Sequence, residues 1–242
     1  MLTLATCSFN TPEITVNMIK SYRNYNGTES PILMTDNSTN EETLKRIPEI
    51  GYRLKLLQNP GFHHSIGVDV LLENCDTKYM LLVDTDILFL QCINPLFDKF
   101  VQYGAALCGV KQGSRGGLDL YDRIVPWFCF IDIGQIRKHN IKYFDQERFS
   151  RHLKCTGTRT KIYDVAATFL EDIQNNNLKV LEISEAEQNQ FIKHFEGCSW
   201  RKFCDNKQIE ELGIKTEKEY NEFIMKWNNQ YENNTAILQQ IS

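Results

Sequence analysis

The chain has 242 residues, 42% of them hydrophobic and 24% charged, an ordinary globular balance. That length suits one large α/β domain, or one domain with a short appendage, and such a domain removes roughly 70% or more of its unfolded surface from water. A formal charge of −4, with Lys and Arg scattered and no basic run, argues against nucleic acid as a partner, because phosphate binding needs concentrated positive charge. Eight cysteines are present without a C-x-x-C pair, and several sit in apolar runs, as in Phe128-Cys129-Phe130, where Cys behaves as a small hydrophobe. There is no charged-then-apolar leader and no apolar stretch approaching membrane-spanning length, so the expectation is a cytoplasmic protein with no transmembrane segment, for which peripheral membrane contact stays open.

Leu2 to Cys7 reads as a short strand. A helix follows, with Thr11 at the N-cap, Pro12 at its first position and an apolar face of Ile14, Met18, Ile19 and Tyr22. Pro31 to Met34 is a second strand, Asp36 to Thr39 a loop, and Asn40 to Ile47 a short helix. Tyr52 to Leu57 is a third strand, ended by the turn Asn59-Pro60-Gly61. Ser65 to Cys75 reads as a helix with Ile66, Val70 and Leu71 inside. Tyr79 to Val83 is continuously apolar, the mark of a central strand covered on both faces. Alternation at this spacing implies a doubly wound, mainly parallel sheet, in which ligands bind beyond the carboxyl ends of the strands.

The second half is less regular. Ala105 to Val110, Trp127 to Ile133 and Leu178 to Ile183 read as strands, Asp164 to Gln174 as a helix, and the glycine-bearing stretch Lys111 to Asp122 as a flexible loop, a candidate lid. From Asp205 onward the chain is polar with helical spacing at Tyr220, Phe223, Ile224 and Trp227, so 205–242 reads as a helical appendage to a domain over 1–204. Within that domain 1–110 is the regular half and 111–204 the less regular one.

Asp84-Thr85-Asp86 directly follows the buried strand. Two acids at i and i+2 there repel one another unless a cation neutralises them, and their oxygens suit Mg²⁺ or Mn²⁺. Taken alone, a D-x-D triplet is also an ordinary solvated loop. His194, some hundred residues later, can complete such a site with an imidazole, and Arg201 can hold a phosphate through its fork. Asp36-Asn37 at the end of the second strand suits a ribose or base, or a plain Asx turn. His63-His64-Ser65-Ile66-Gly67 leads into a helix N-terminus, which favours an anion.

These segments together resemble the GT-A fold of family 2-type glycosyltransferases over roughly residues 2 to 201. Leu2 to Ser8 with Asn10 resembles the first strand and nucleotide-contacting loop, Asp36-Asn37-Ser38-Thr39 the D-x-S-T segment, Asn59-x-Gly61 through Gly67 the segment before the third helix, and Asp84-Thr85-Asp86 the metal motif. The resemblance implies a transferase using Mn²⁺ or Mg²⁺ held by Asp84, Asp86 and His194. Thr6, Ser8, Asn10, Asp36, Asn37, His64, Gly67, Asp84, Thr85 and Arg201 would line a UDP-, GDP- or dTDP-sugar, and the acceptor would be a glycan or polysaccharide; by the same resemblance 1–110 would be the nucleotide-sugar half and 111–204 the acceptor half. Two features depart from the pattern: Ser65-Ile66 replaces the usual Arg-Asn, and no clear Glu-Asp catalytic pair is present. Leu82 to Phe89 with Asn94-Pro-Leu-Phe97, and His194-Phe-x-Gly197, also resemble glycogenin-like family 8-type enzymes, which retain configuration where family 2-type enzymes invert it. For inversion a carboxylate must take the acceptor proton; Asp164 is the first candidate, with a helix N-cap as its alternative role, and Asp132 is the second. Trp127 and Phe128 are either core residues or a stacking surface for an acceptor sugar.

Overall fold

The computed structural model describes residues 1–9, 11–36, 38, 54–58, 64–115, 118–148, 163–195 and 216–241. Among these, seven strands form one sheet in the order β3-β2-β1-β4-β7-β6-β8: β1 (Leu2–Ser8), β2 (Ile32–Asp36), β3 (Leu54–Gln58), β4 (Tyr79–Asp84), β6 (Leu107–Arg115), β7 (Leu118–Asp132) and β8 (Val180–Ile183). β3, β2, β1 and β4 are mutually parallel, as are β6 and β8, while β7 runs antiparallel to both β4 and β6. The expected doubly wound, mainly parallel α/β sheet is therefore present, with one reversed strand in it.

Period-two alternation places the two faces of each central strand in different cores. Leu81, Val83, Phe128 and Phe130 join Met18, Tyr22 and Phe100 on one side; Met80, Leu82, Cys129 and Ile131 join Val68, Leu71 and Phe169 on the other. Helix α1 (Pro12–Asn26) covers the first side with its expected apolar face, although Thr11 caps it without a side-chain hydrogen bond. Helix α2 (His64–Asn74) covers the second. Its buried face is Ser65, Gly67, Val68, Leu71 and Leu72, and Ile66 and Val70 are only partly buried, which corrects the expected apolar face by rotating it. Helices α3 (Asn94–Tyr103), α4 (Ile133–Lys138), α5 (Ala167–Asn175) and α6 (Glu185–Phe191) follow, and α7 (Glu217–Ile241) lies on α1, where Asn17 donates to Asn234 at 2.8 Å.

The stretch Lys111 to Asp122 is not a loop. β6 continues to Arg115 and β7 begins at Leu118, with Lys111 opposite Ile124 and Ser114 opposite Asp119. The hairpin is irregular at its base: Gly109 pairs with Cys129 but Lys111 with Ile124, so β7 takes extra residues there. Pro126, which has no N–H for the ladder, lies in that bulge. A Cβ on Gly109 would come 2.5 Å from the Ile124 side chain, so the close approach requires glycine. The expected helix over 40–47, the turn at 59–61 and the segment 196–215 lie outside the described residues, and so do Asn10, Asn37 and Arg201.

Candidate metal and donor site

The parallel register brings three predicted residues to one edge. Ser8 is paired with Asp36 and Cys7 with Asp84, so the ends of β2, β1 and β4 lie side by side. After β4 the chain turns through Thr85 and Asp86 into a second, two-stranded ribbon, β5 (Ile87–Phe89) with β9 (Ile192–His194). In this antiparallel ribbon His194 stands opposite Ile87, and the Phe195 amide donates to the Asp86 carbonyl at 2.8 Å. The ribbon is the device that carries the imidazole across a hundred residues to the acids.

His194 Nε2 lies 3.4 Å from Asp86 Oδ1, and one ligand atom from each of Asp84, Asp86 and His194 falls within 4.8 Å of the other two. Opposite ligands around an ion with ~2.1 Å bonds stand about 4.2 Å apart, so a small closure suffices to grip one divalent ion. The donor set, two hard carboxylates and one imidazole, fits a divalent metal ion. Asp86 is 1% exposed, where a bare carboxylate is costly, and the Thr85 hydroxyl beside it is buried without a partner among the described residues.

His64, at the start of α2, places Nε2 3.5 Å from Asp84 Oδ1. Burial pushes the Asp84 carboxyl up, but the hydrogen bond from His64 and the charges of His64, His194 and Arg123 outweigh it and hold the group below the usual carboxylate range. The face of His194 stacks on Trp127, with centroids 5.0 Å apart and planes at 18°. The guanidinium of Arg123 lies 6.0 Å from the Trp127 ring. Trp127 thus meets His194 while also packing, half-buried, against the core, whereas Phe128 is fully buried.

At the neighbouring strand end, Asp36 Oδ1 accepts from the Ser38 amide and hydroxyl, at 3.2 and 2.6 Å. Burial raises the Asp36 carboxyl, and bonds from Ser38 and Ser8 pull it part of the way back. Its Oδ2 and the Thr6 hydroxyl are buried at this edge, and beyond the Ser8 contact neither has a well-formed hydrogen bond among the described residues. Gly67 lies buried one turn along α2 from His64.

The two candidate bases separate. Asp132 is paired with Tyr79, at the opposite end of β4 from Asp84, and caps α4 by accepting from the Gln135 amide and side chain, both at 3.1 Å. β7 is antiparallel, so its last residue lies at the edge of the sheet away from Asp84, where Asp132 serves as a helix cap. Asp164 lies beside the first part of β7. It precedes α5 by two residues rather than capping it; Oδ2 is 2.8 Å from Arg123 Nη1, and Oδ1 accepts from the Val165 amide. Arg123 is 1% exposed and donates also to Gln112, at 2.6 and 3.0 Å, and to the Val165 carbonyl. These bonds pin the loop in which Ala166 adopts φ 71°, a left-handed conformation that costs a non-glycine residue about 1–2 kcal/mol. Sequence reasoning passed over Arg123 because it fell between the stretch read as a loop, Lys111 to Asp122, and the strand expected from Trp127; the β-forming Tyr121, Ile124 and Val125 around it were the available signal.

No family model matches the sequence, and no curated protein is similar to it. Solved structures are. A mannosyltransferase from Pyrobaculum calidifontis, in complex with GDP-Man and Mn²⁺, superposes with a TM-score of 0.56 at 9% identity, over 99% of this chain and 72% of that one. S. aureus TarS gives 0.54 at 10% identity over 95% and 71%, and the glycosyltransferase GlyE of Streptococcus pneumoniae 0.53 at 11% over 96% and 63%. The fold is GT-A. Within it, the acids after β4 and the imidazole from β9 occupy the edge at which open α/β sheets bind their ligands. No helix among the described residues is long and apolar enough to cross a membrane.

Proposed function

We propose that the protein is a metal-dependent glycosyltransferase that moves a sugar from a UDP-, GDP- or dTDP-linked donor to a hydroxyl of a glycan acceptor, with inversion. One observation carries this reading: residues 84, 86 and 194, remote in sequence, converge with ligand atoms within 4.8 Å at the carboxyl edge of a GT-A sheet. The mannosyltransferase of the same fold is described with GDP-Man and Mn²⁺, a donor and an ion that fit this arrangement.

In this reading Asp84, Asp86 and His194 hold the divalent ion, which supplies Lewis-acid stabilisation of the charge on the departing diphosphate. His64 fixes the orientation of Asp84, and Trp127 that of His194. Asp36, Ser8 and Thr6 receive the nucleoside, a role the family resemblance extends to Asn10 and Asn37, and Gly67 and Thr85 line the donor's approach. Arg201 pairs with a phosphate. Asp164 takes the acceptor proton, because Asp132 lies at the edge away from Asp84.

The test is a panel of UDP-, GDP- and dTDP-sugars assayed for hydrolysis with Mn²⁺ and with EDTA. Hydrolysis of one donor, lost with EDTA, is expected; donor binding that is unimpaired by EDTA would refute the metal role. With the donor known, Asp164→Asn is expected to abolish transfer while sparing donor binding, and NMR of the product should show an inverted anomer. A retained anomer would take the base role away from Asp164.

A further inference from the structure

A second recess lies away from the metal group, between the first part of β7 and α5. It is a cavity of ≈ 180 Å³ lined by Tyr121, Asp122, Tyr163, Ala167, Glu171 and Gln174. At about 30 Å³ per water in the liquid, that is space for about six waters or one small ring.

Its wall is aromatic and ordered. The Tyr121 and Tyr163 rings are parallel, with centroids 4.0 Å apart and planes at 8°, so each covers one face of the other and holds it in place, leaving an outer ring face as a flat apolar surface. The Tyr163 hydroxyl donates to Glu171 at 3.3 Å. The rim is rich in acceptors, but its charges are already met: Lys111 Nζ stands 3.0 Å from Asp122, and Arg148 Nη1 2.8 Å from Glu171. A carboxylate has about four lone-pair positions, so both can accept further hydrogen bonds. A phosphate would face two carboxylates here, and an ammonium ion would find them already paired. A neutral ring with an apolar C–H face and hydroxyls around its edge suits both wall and rim.

The recess is joined to the reacting centre without being part of it. Tyr163 precedes Asp164, Asp164 pairs with Arg123, Arg123 lies over Trp127, and Trp127 stacks on His194. A ring held against Tyr163 is thus set back from the ring being glycosylated. We infer that this recess is a pyranose subsite for a second sugar of the acceptor, so that the preferred acceptor carries at least two rings. The inference rests on the glycosyltransferase reading. Binding of a remote ring would contribute to transfer by ordering the reacting one.

The test uses the full chain on an array of methyl monoglycosides, disaccharides and trisaccharides, without donor or metal. Nucleotide binding with Mn²⁺ is measured separately on the same proteins. Wild type is expected to bind particular di- or trisaccharides and not the corresponding monoglycosides. Tyr121→Ala and Tyr163→Ala should weaken that binding at least tenfold, leaving the Mn²⁺-dependent nucleotide Kd within about twofold. Tyr163→Phe, which keeps the ring, should hold most of the affinity, so loss in the alanine variants is not mere unfolding. Wild-type glycan affinity in both alanine variants would overturn the subsite, and so would a wild type that binds the nucleotide but no glycan. Glycan binding by a wild type that binds no nucleotide with Mn²⁺ would leave a sugar pocket but overturn its role in an acceptor site, by removing the transferase reading itself.

Discussion

Asp84 and Asp132 look alike in sequence: each closes a run of apolar residues, Tyr79 to Val83 and Trp127 to Ile131. The fold sets them at opposite ends of the sheet. β4 delivers Asp84 to the carboxyl edge shared with Ser8 and Asp36, whereas β7 runs the other way and delivers Asp132 opposite Tyr79. One acid meets two imidazoles; the other meets an amide and, at 4.0 Å, Lys78. An acid after an apolar strand is thus a site residue or a helix cap according to strand direction, which is a property of the whole sheet and not of the local sequence.

Breaking the carboxyl edge should have the largest effect. Asp86→Ala leaves two of three ligands, and Mn²⁺-dependent donor hydrolysis is expected to fall roughly 10³-fold, about 4 kcal/mol at 1.36 kcal/mol per tenfold. Titration calorimetry with Mn²⁺ and nucleotide reads the binding part of that loss; unchanged affinity would separate Asp86 from the ion. Next comes Arg123→Met, which keeps the bulk but strands Asp164 and Gln112 and releases the left-handed Ala166. Breaking a buried pair costs about 3–5 kcal/mol, and Asp164 is partly solvated, so about 2 kcal/mol of lost stability is expected in urea unfolding. A loss under 0.5 kcal/mol would show that Arg123 does not anchor this loop.

The half over 1–110 was legible because its signals are local. Unbroken apolar runs marked the parallel strands, and the residues after them fell at the ligand edge whatever the loops did. The half over 111–204 was not. The stretch Lys111 to Asp122, with three glycines, masked a hairpin whose register is set by a bulge and by contacts with β8, and the left-handed Ala166 displaced the start of α5 from Asp164. His194 was legible as a chemical type, but its route to the acids was not. The β5–β9 ribbon pairs three residues with three, and its partners lie a hundred residues apart.

Trp127→Ala probes whether the metal edge depends on its surroundings. It removes the ring stacked on His194 without touching a ligand, and groups that orient metal-bound imidazoles are typically worth 10- to 100-fold in affinity. About a tenfold weaker Mn²⁺ Kd is expected, read by electron paramagnetic resonance, with Trp127→Phe recovering most of it. Equal Kd values in all three proteins would leave Trp127 a packing residue only.

A third acid, Asp69 on α2, tests a different consequence of burial. Burial raises its carboxyl to about 6, against the opposing bonds from the Tyr143 and Phe144 amides. A folded value above the unfolded 3.8 means that the protonated form is favoured in the fold. Its stabilising contribution is complete below pH 3.8 and is lost as pH rises through 6. Asp69→Asn does not titrate, so its melting temperature should match wild type near pH 4 and exceed it at pH 7. The gain should be about 1 kcal/mol once residual solvent contact is allowed for. An equal difference at both pH values would exclude titration of Asp69 as the cause.

The smallest effect is expected at the opposite edge of the sheet. Asp132→Ala removes the cap of α4, two hydrogen bonds to Gln135 at 3.1 Å, and such caps contribute about 1 kcal/mol. Thermal unfolding should register that loss, while Mn²⁺-dependent donor hydrolysis and transfer stay at wild-type rates, because nothing at that end of β4 reaches the strand's other terminus. Asp132→Asn should restore most of the stability, since its amide oxygen can still accept from the Gln135 N–H. If instead transfer fell a hundredfold in Asp132→Ala with the Tm unmoved, the antiparallel placement of β7 would be wrong, and with it the distinction between the two acids.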